Sequence, residues 1–148
     1  MKRSLILTIP FILVVACSTM KGMRRISFKY YSNSQQQKIV MLVPKHAKLT
    51  KIIAGGEGEE YRYKYADSSI IYLSDLNGSI TINESLIRKQ DGAYNKRFVK
   101  DSASFEGVNA MGNYWREIKY KGAFYGYSNV PPTKKQLFDD AISSAKSQ

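Results

Sequence analysis

The side chains best suited to acid–base chemistry in this sequence are glutamates. Glu57, Glu59 and Glu60 cluster in a Gly-rich stretch, and Glu106 and Glu117 fall in segments with strand character. Glycoside hydrolysis needs two carboxyl groups at a set separation. Glu106 and Glu117 therefore define a hydrolase hypothesis, in which both carboxyl groups face one cleft. The alternative is that these carboxylates are solvated or ion-paired.

Nucleophilic and metal-dependent chemistry has little support. The chain has one histidine, His46, and one cysteine, Cys17, whereas a structural zinc site needs converging His, Cys or carboxylate ligands. A serine nucleophile would have only His46 as its histidine base, and we expect His46 to be a surface loop residue. The glycines of residues 55–58 lack the Lys-Ser/Thr ending of a phosphate-binding loop. We predict neither a cofactor nor a metal, and no enzymatic activity.

A row of tyrosines alternates with cations just after this loop. Tyr61, Tyr63 and Tyr65 share one face of a predicted strand, and Arg62 and Lys64 share the other. Exposed rings can stack on sugars or bases while neighbouring cations contact phosphates. These five residues are the candidate binding surface. The alternative is that the rings fill the core. Nucleic-acid binding through this surface is the weaker hypothesis, and it predicts an affinity that falls as salt is added.

The N-terminus carries a targeting pattern. Lys2 and Arg3 precede an apolar run from Leu5 to Ala16, which ends at Cys17. A helix needs about 20 residues to cross a hydrocarbon core of ~30 Å, so this run is too short. It has the length and the flanks of a secretory signal peptide.

The residues Val14-Val15-Ala16-Cys17 resemble the lipobox of bacterial lipoproteins. The resemblance implies that residues 1–16 are removed and that Cys17 is lipidated and becomes the new N-terminus. Ser18 is not an aspartate, which by the same resemblance implies attachment to the outer membrane, facing the periplasm. The alternative is a cytosolic protein whose N-terminus forms a buried element.

The formal net charge is +11 at pH 7, which bears on partners and solubility and not on fold. Outside the cytoplasm the available anions are lipid head groups, lipopolysaccharide phosphates, acidic glycans and nucleic acid. A basic domain at an anionic membrane gains ~1 kcal/mol per nearby Lys or Arg. The cations are spread from Arg24 to Lys146 with no dense block. A scattered, solvated surface is therefore the alternative.

Residues 17–24 are predicted to be a lipidated tether, and residues 25–148 a single β-rich domain. Alternation of apolar and polar residues begins at Arg25 and indicates half-buried strands. We expect an antiparallel β-sandwich or small barrel of about eight to ten short strands, ending in an amphipathic helix over residues 134–146.

Several local expectations follow from turn and capping signals. Asn77-Gly78 predicts a type I′ turn between strands 70–76 and 79–83. Asn83 predicts the cap of a short helix, and residues 95–100 form a weak strand candidate. Lys121-Gly122 predicts a tight turn between strands 114–120 and 123–128. Thr133 and Gln136 match a capping box at the start of the C-terminal helix.

These features together predict a lipid-anchored lipoprotein of the cell envelope. The membrane is reached through Cys17, and the body is a non-enzymatic binding or assembly module for an envelope protein or an anionic glycan or lipid. The alternative is a small carboxylate-dependent hydrolase that acts on envelope polymers.

Overall fold

The computed structural model describes residues 22–76, 78–90 and 93–148. The predicted signal peptide (1–16) and Cys17 lie outside these residues, and so does most of the predicted tether. Within the described residues the chain is mainly β, in two antiparallel sheets with no closed barrel. The strands are β1 (Met23–Ser32), β2 (Gln35–Pro44), β3 (Lys48–Ile53), β4 (Glu59–Lys64), β5 (Ile70–Ser74), β6 (Ser102–Val108), β7 (Tyr114–Tyr120), β8 (Ala123–Val130) and β9 (Lys146–Ser147). The helices are α1 (Glu84–Arg88), α2 (Ala93–Val99) and α3 (Lys135–Ser143).

The smaller sheet has the strand order β1-β2-β9. β1 and β2 form a hairpin whose two turn residues, Asn33 and Ser34, have φ of 49° and 63°, as a type I′ turn requires. Ile26, Phe28 and Tyr30 alternate along β1 and are buried. This sheet therefore has one apolar face and one outer face.

The larger sheet has the order β3-β4-β5-β8-β7-β6. β4 and β5 pair as an antiparallel hairpin, and so do β7 and β8. The predicted Lys121-Gly122 turn is confirmed, because both residues have positive φ, 46° and 86°. The prediction of an antiparallel, mainly β fold with a helix near the C-terminus is confirmed.

The large sheet is covered on both faces. A first apolar cluster lies between the two sheets and α3, and its largest members include Phe28, Tyr63, Tyr127 and Phe138. A second cluster lies on the other face, where Tyr72, Trp115 and Phe124 of the sheet pack with Ile82 and with Ile87 of α1. The segment between β5 and β6, residues 75–101, therefore covers this second face of the large sheet. We call it the cover segment.

The predicted hairpin around Asn77-Gly78 is wrong. Residues 79–83 are not a strand, and Ile80 is exposed. Residues 79–83 do not pair with β5 because that edge of β5 pairs with β8 instead. In addition, the amide of Ile80 donates a hydrogen bond to the Glu60 carboxylate. Gly78 still has positive φ, 103°, while Asn77 lies outside the described residues.

The helical segments agree with the sequence in part. Asn83 does cap α1, since its Oδ1 accepts a hydrogen bond from the Ser85 amide at 3.0 Å. Residues 93–99 form a helix, so the strand predicted at 95–100 is wrong.

The predicted capping box is also wrong. Thr133 lies in the 3-10 turn Pro132–Lys134, and the N-cap of α3 is Lys134, which makes no side-chain capping bond. The helix ends at Ser143, earlier than predicted, because Lys146 pairs with Val40 as part of β9.

Asp139 links α3 to the large sheet through hydrogen bonds and ion pairs. Its carboxylate accepts hydrogen bonds from the Tyr127 hydroxyl (2.9 Å) and from Arg116 Nη1 (3.2 Å), and it pairs with Lys135 of its own helix. Burial alone would raise the pKa of this carboxyl, but the hydrogen bonds from Lys135 and Tyr127 outweigh it and hold the pKa below its usual 3.8.

We predict that Asp139→Asn removes a pH-dependent part of the stability. A carboxyl whose folded-state pKa is depressed stabilises the fold above its unfolded pKa and loses that contribution as the pH falls through its folded pKa. Urea unfolding should therefore show a destabilised variant at pH 7 and a smaller gap to wild type below about pH 3.8. The matched control is Asp140→Asn, at an exposed position bonded to Gln136. A gap for Asp139→Asn that stayed constant with pH would contradict the assignment.

Candidate functional site

The tyrosine row of β4 faces the core. Tyr63 is 5% exposed and belongs to the cluster between the sheets, with Tyr61 and Tyr65 packed against it. The Tyr65 hydroxyl donates to the Pro44 carbonyl at 3.0 Å, and burial raises its pKa well above the usual value. These rings therefore do not form an exposed stacking platform.

The two cations of the row lie on the opposite face of β4 and are not equivalent. Arg62 Nε is 2.7 Å from Glu60 Oε1 in an ion pair, while Lys64 is exposed at the end of the strand. The structure therefore separates the candidate binding surface of residues 61–65 into a core stripe and two differently placed cations.

Glu106 and Glu117 do not form a carboxylate pair. Glu106 lies opposite Arg116, whereas Glu117 lies opposite Phe105. Because cross-strand partners share a face, the two carboxylates point to opposite faces of the sheet. The Glu106 side chain is 62% exposed and that of Glu117 is fully buried, so no cleft contains both.

Glu117 belongs to a buried ion pair with Arg97 of α2. Arg97 Nε lies 2.8 Å from Glu117 Oε1, and its Nη2 donates to Oε2 at 3.1 Å. The Tyr72 hydroxyl donates to the same Oε2 at 3.1 Å. Burial raises the pKa of Glu117, while the Arg97 charge lowers it without cancelling the effect. The sequence contained no signal for this pair, because α2 itself was predicted to be a strand.

Glu60 is the second fully buried carboxylate, and it holds the cover segment. It accepts hydrogen bonds from the Ser79 hydroxyl (3.1 Å) and the Ile80 amide (3.0 Å), and from the Thr81 hydroxyl. With Arg62 these donors surround both oxygens. Because Arg97 Nη2 also approaches the Ser79 carbonyl at 3.5 Å, the two carboxylates belong to one buried network.

The two carboxylates of this network are enclosed in the fold. Both carboxylates have no exposed surface, and each is occupied by donors from the cover segment or from the sheet. A general acid or base must reach a substrate proton within about 3 Å. Neither Glu60 nor Glu117 can do so in this fold.

The remaining residues singled out in the sequence lie on the surface. Glu57 is exposed in the loop after β3, and Glu59 is ion-paired with Lys51. His46 is exposed in the turn between β2 and β3, with φ of 67°. Among the residues that the structure describes, no three His, Cys, Asp or Glu side chains converge as metal ligands.

A largely apolar cleft opens on the covered side of the large sheet. It has a volume of about 390 Å³ and lies between α1 and the turn joining β6 to β7, with Leu86, Met111 and Trp115 among its lining residues. The amides at its rim bond to one another: Asn113 Nδ2 donates to Asn129 Oδ1 at 2.7 Å. The described residues that line this cleft are all uncharged.

The outer face of the small sheet is the strongest candidate for a binding site. Arg25 and Lys29 of β1 point outward, as the alternation with the buried residues of β1 requires. Lys38 lies directly opposite Lys29, and Lys146 lies opposite Val40. None of the four cations makes an ion pair within the described residues. We call this surface, formed by Arg25, Lys29, Lys38 and Lys146, the basic sheet face.

Acidic residues are absent from β1, β2 and β9, and the sequence contains no Asp or Glu before Glu57. Elsewhere in the fold several cations are matched by carboxylates: Lys51 by Glu59, Lys134 by Asp67 and Lys135 by Asp139. The carboxylates are therefore unevenly distributed along the chain. The sequence signal for this was the acid-free stretch up to Gly56, and not a dense block of Lys and Arg.

No protein-family model matches the chain, and no curated protein or solved structure is significantly similar to it. No helix among the described residues is both long enough and apolar enough to cross a bilayer.

Proposed function

We propose that this protein is a lipid-anchored lipoprotein of the cell envelope, whose folded body is a non-enzymatic module that binds an anionic envelope component. Cys17 is the lipidated residue, and the outer membrane, on its periplasmic side, is the expected location. The anchor rests on the lipobox resemblance of residues 14–17.

The observation that carries the binding role is the basic sheet face. Its four cations come from three strands that contain no carboxylate, and Lys29 and Lys38 lie opposite each other. Like charges directly opposite on a sheet are destabilising. An arrangement that costs stability in the free protein is relieved when an anion binds.

The hydrolase alternative has no comparable support. The pair on which it was based, Glu106 and Glu117, is split between the two faces of the sheet. The buried carboxylates Glu60 and Glu117 have no exposed surface, and each accepts hydrogen bonds from neighbouring groups.

We predict that neutralising two cations of the basic sheet face weakens anion binding more than neutralising two cations elsewhere. The test compares Lys29→Gln/Lys38→Gln with Lys96→Gln/Lys100→Gln, which has the same net charge and changes exposed residues at the end of α2. Affinity for an immobilised phosphate matrix, read from the salt needed for elution, should fall on the order of tenfold for the first pair at low ionic strength. Equal losses for the two pairs would show that binding is a property of net charge alone, and would refute the proposed site.

A further inference from the structure

We infer that the basic sheet face lies flat on the anionic lipid surface of the membrane that holds the anchor. This inference rests on the proposed function, since it takes Cys17 to be lipidated, and it names the anionic component as lipid head groups. Three features of the described residues support it: the spread of the cations, the apolar residues between them, and the short distance in sequence to the anchor.

The cations are too far apart for one small anion. Arg25 and Lys29 are four residues apart on one strand, which at about 3.3 Å per residue is roughly 13 Å. Lys38 and Lys146 lie on the next two strands, each about 4.8 Å further across the sheet. A plane of head-group phosphates can neutralise all four cations at once, including the opposed Lys29 and Lys38.

Apolar side chains lie among these cations. Leu42, which is partly exposed, occupies an outward position of β2 opposite Arg25, whereas Val40, the outward residue opposite Ser27, is only 6% exposed. A groove of about 350 Å³ lined by Arg25, Leu42 and Lys146 borders this face. At the turn end of the face, Tyr31 is 69% exposed. Tyrosine is favoured where an apolar body meets a polar head-group layer. Cations around apolar groups and an exposed tyrosine match the chemistry of a lipid surface.

The anchor keeps this face close to the bilayer. β1 begins at Met23, six residues after Cys17, and a chain of this length spans at most roughly 20 Å in any conformation. Arg25, the first outward-facing cation, follows two residues later. A tether this short gives the face a high effective concentration at the head groups.

The test measures lysine reactivity on vesicles. The native lipidated protein is added to preformed vesicles of neutral phosphatidylcholine, or of phosphatidylcholine with anionic phosphatidylglycerol, and is pulsed with an amine acetylating reagent. We expect acetylation of Lys29, Lys38 and Lys146 to be about five-fold slower on the anionic vesicles. The protection should disappear as salt is added, and Lys96 and Lys100 should react equally on both vesicles.

The outcomes separate this inference from the anchor. Flotation with the neutral vesicles reports the anchor alone, so a protein that failed to float there would refute the proposed function. A protein that floated with both vesicle types but showed equal acetylation would refute only the inference. If soluble dextran sulfate protected these lysines while anionic vesicles did not, the partner would be a polyanionic polymer, and the lipid assignment would be wrong.

A charge variant provides a second test of whether the basic sheet face is the surface that contacts the lipid. In Lys29→Gln/Lys38→Gln, protection of Lys146 on anionic vesicles should be lost, whereas Lys96→Gln/Lys100→Gln should keep it. Near-UV circular dichroism confirms that each variant is folded, and Arg25→Gln replaces the pair if the pair does not fold. Retained protection of Lys146 in the folded face variant would overturn the inference.

Discussion

Replacing Arg97 with Ala should destabilise the protein by about 3–5 kcal/mol, the range for removing one partner of a buried ion pair. The substitution leaves Glu117 fully buried and without its counter-ion, although the Tyr72 hydroxyl still donates to it. Such a loss is a large part of the ~5–15 kcal/mol that holds a typical domain folded. Urea unfolding at pH 7, followed by tryptophan fluorescence from the buried Trp115, measures it.

Two further variants make the Arg97 prediction specific. Lys134→Ala breaks a partly exposed ion pair with Asp67 and should cost below about 1 kcal/mol. The double variant Arg97→Met/Glu117→Leu removes both charges and should recover much of the stability, because a buried ion pair can often be replaced by apolar groups. A loss below 1 kcal/mol for Arg97→Ala would show that the cover segment is not held by this network.

Replacing Tyr63 with Ala should cost a similar amount, about 3–5 kcal/mol, the range for aromatic-to-alanine changes in a core. The Tyr63 ring packs between the sheets, with Arg24 5.4 Å from the ring centroid. If the tyrosine row were instead an exposed binding platform, the same change would weaken binding and leave stability nearly unchanged. Denaturant midpoints and phosphate-matrix affinities measured on the same preparations distinguish the two.

Tyr31→Ala is the matched control, because Tyr31 is 69% exposed on the outer face of the small sheet. We expect its stability to stay within about 0.5 kcal/mol of wild type. A stable Tyr63→Ala variant with weakened anion binding would indicate that the anion-binding site lies at residues 61–65. It would contradict the placement of that site on the small sheet.

The sequence predicts strands best where local pattern and tertiary structure agree. The alternation in β1 was sufficient to predict a strand, and Lys121-Gly122 was sufficient to predict a turn, because each signal depends on neighbouring residues alone. The Asn77-Gly78 signal failed because β5 pairs with β8, about fifty residues further along the chain. Such a long-range pairing overrides a local turn preference and is not visible in a single sequence.

The candidate site was predicted less well than the fold, for a similar reason. Alternation in β4 places the tyrosines together on one face, but it does not say whether that face meets the core or solvent. The basic sheet face brings together Lys29, Lys38 and Lys146 from three strands. This surface could not be predicted from the sequence, because its formation depends on the strand order. The buried pair of Arg97 and Glu117 likewise depends on a helix packing against a sheet.

We proposed that the folded body is held at a membrane through an acylated Cys17. Mass spectrometry of the N-terminal peptide, from protein isolated out of native membranes, tests this proposal. We predict a peptide that begins at Cys17 and carries the mass of a diacylglyceryl group on that residue. A peptide that begins at Met1, with a free thiol at residue 17, would contradict both the anchor and the membrane orientation inferred from it.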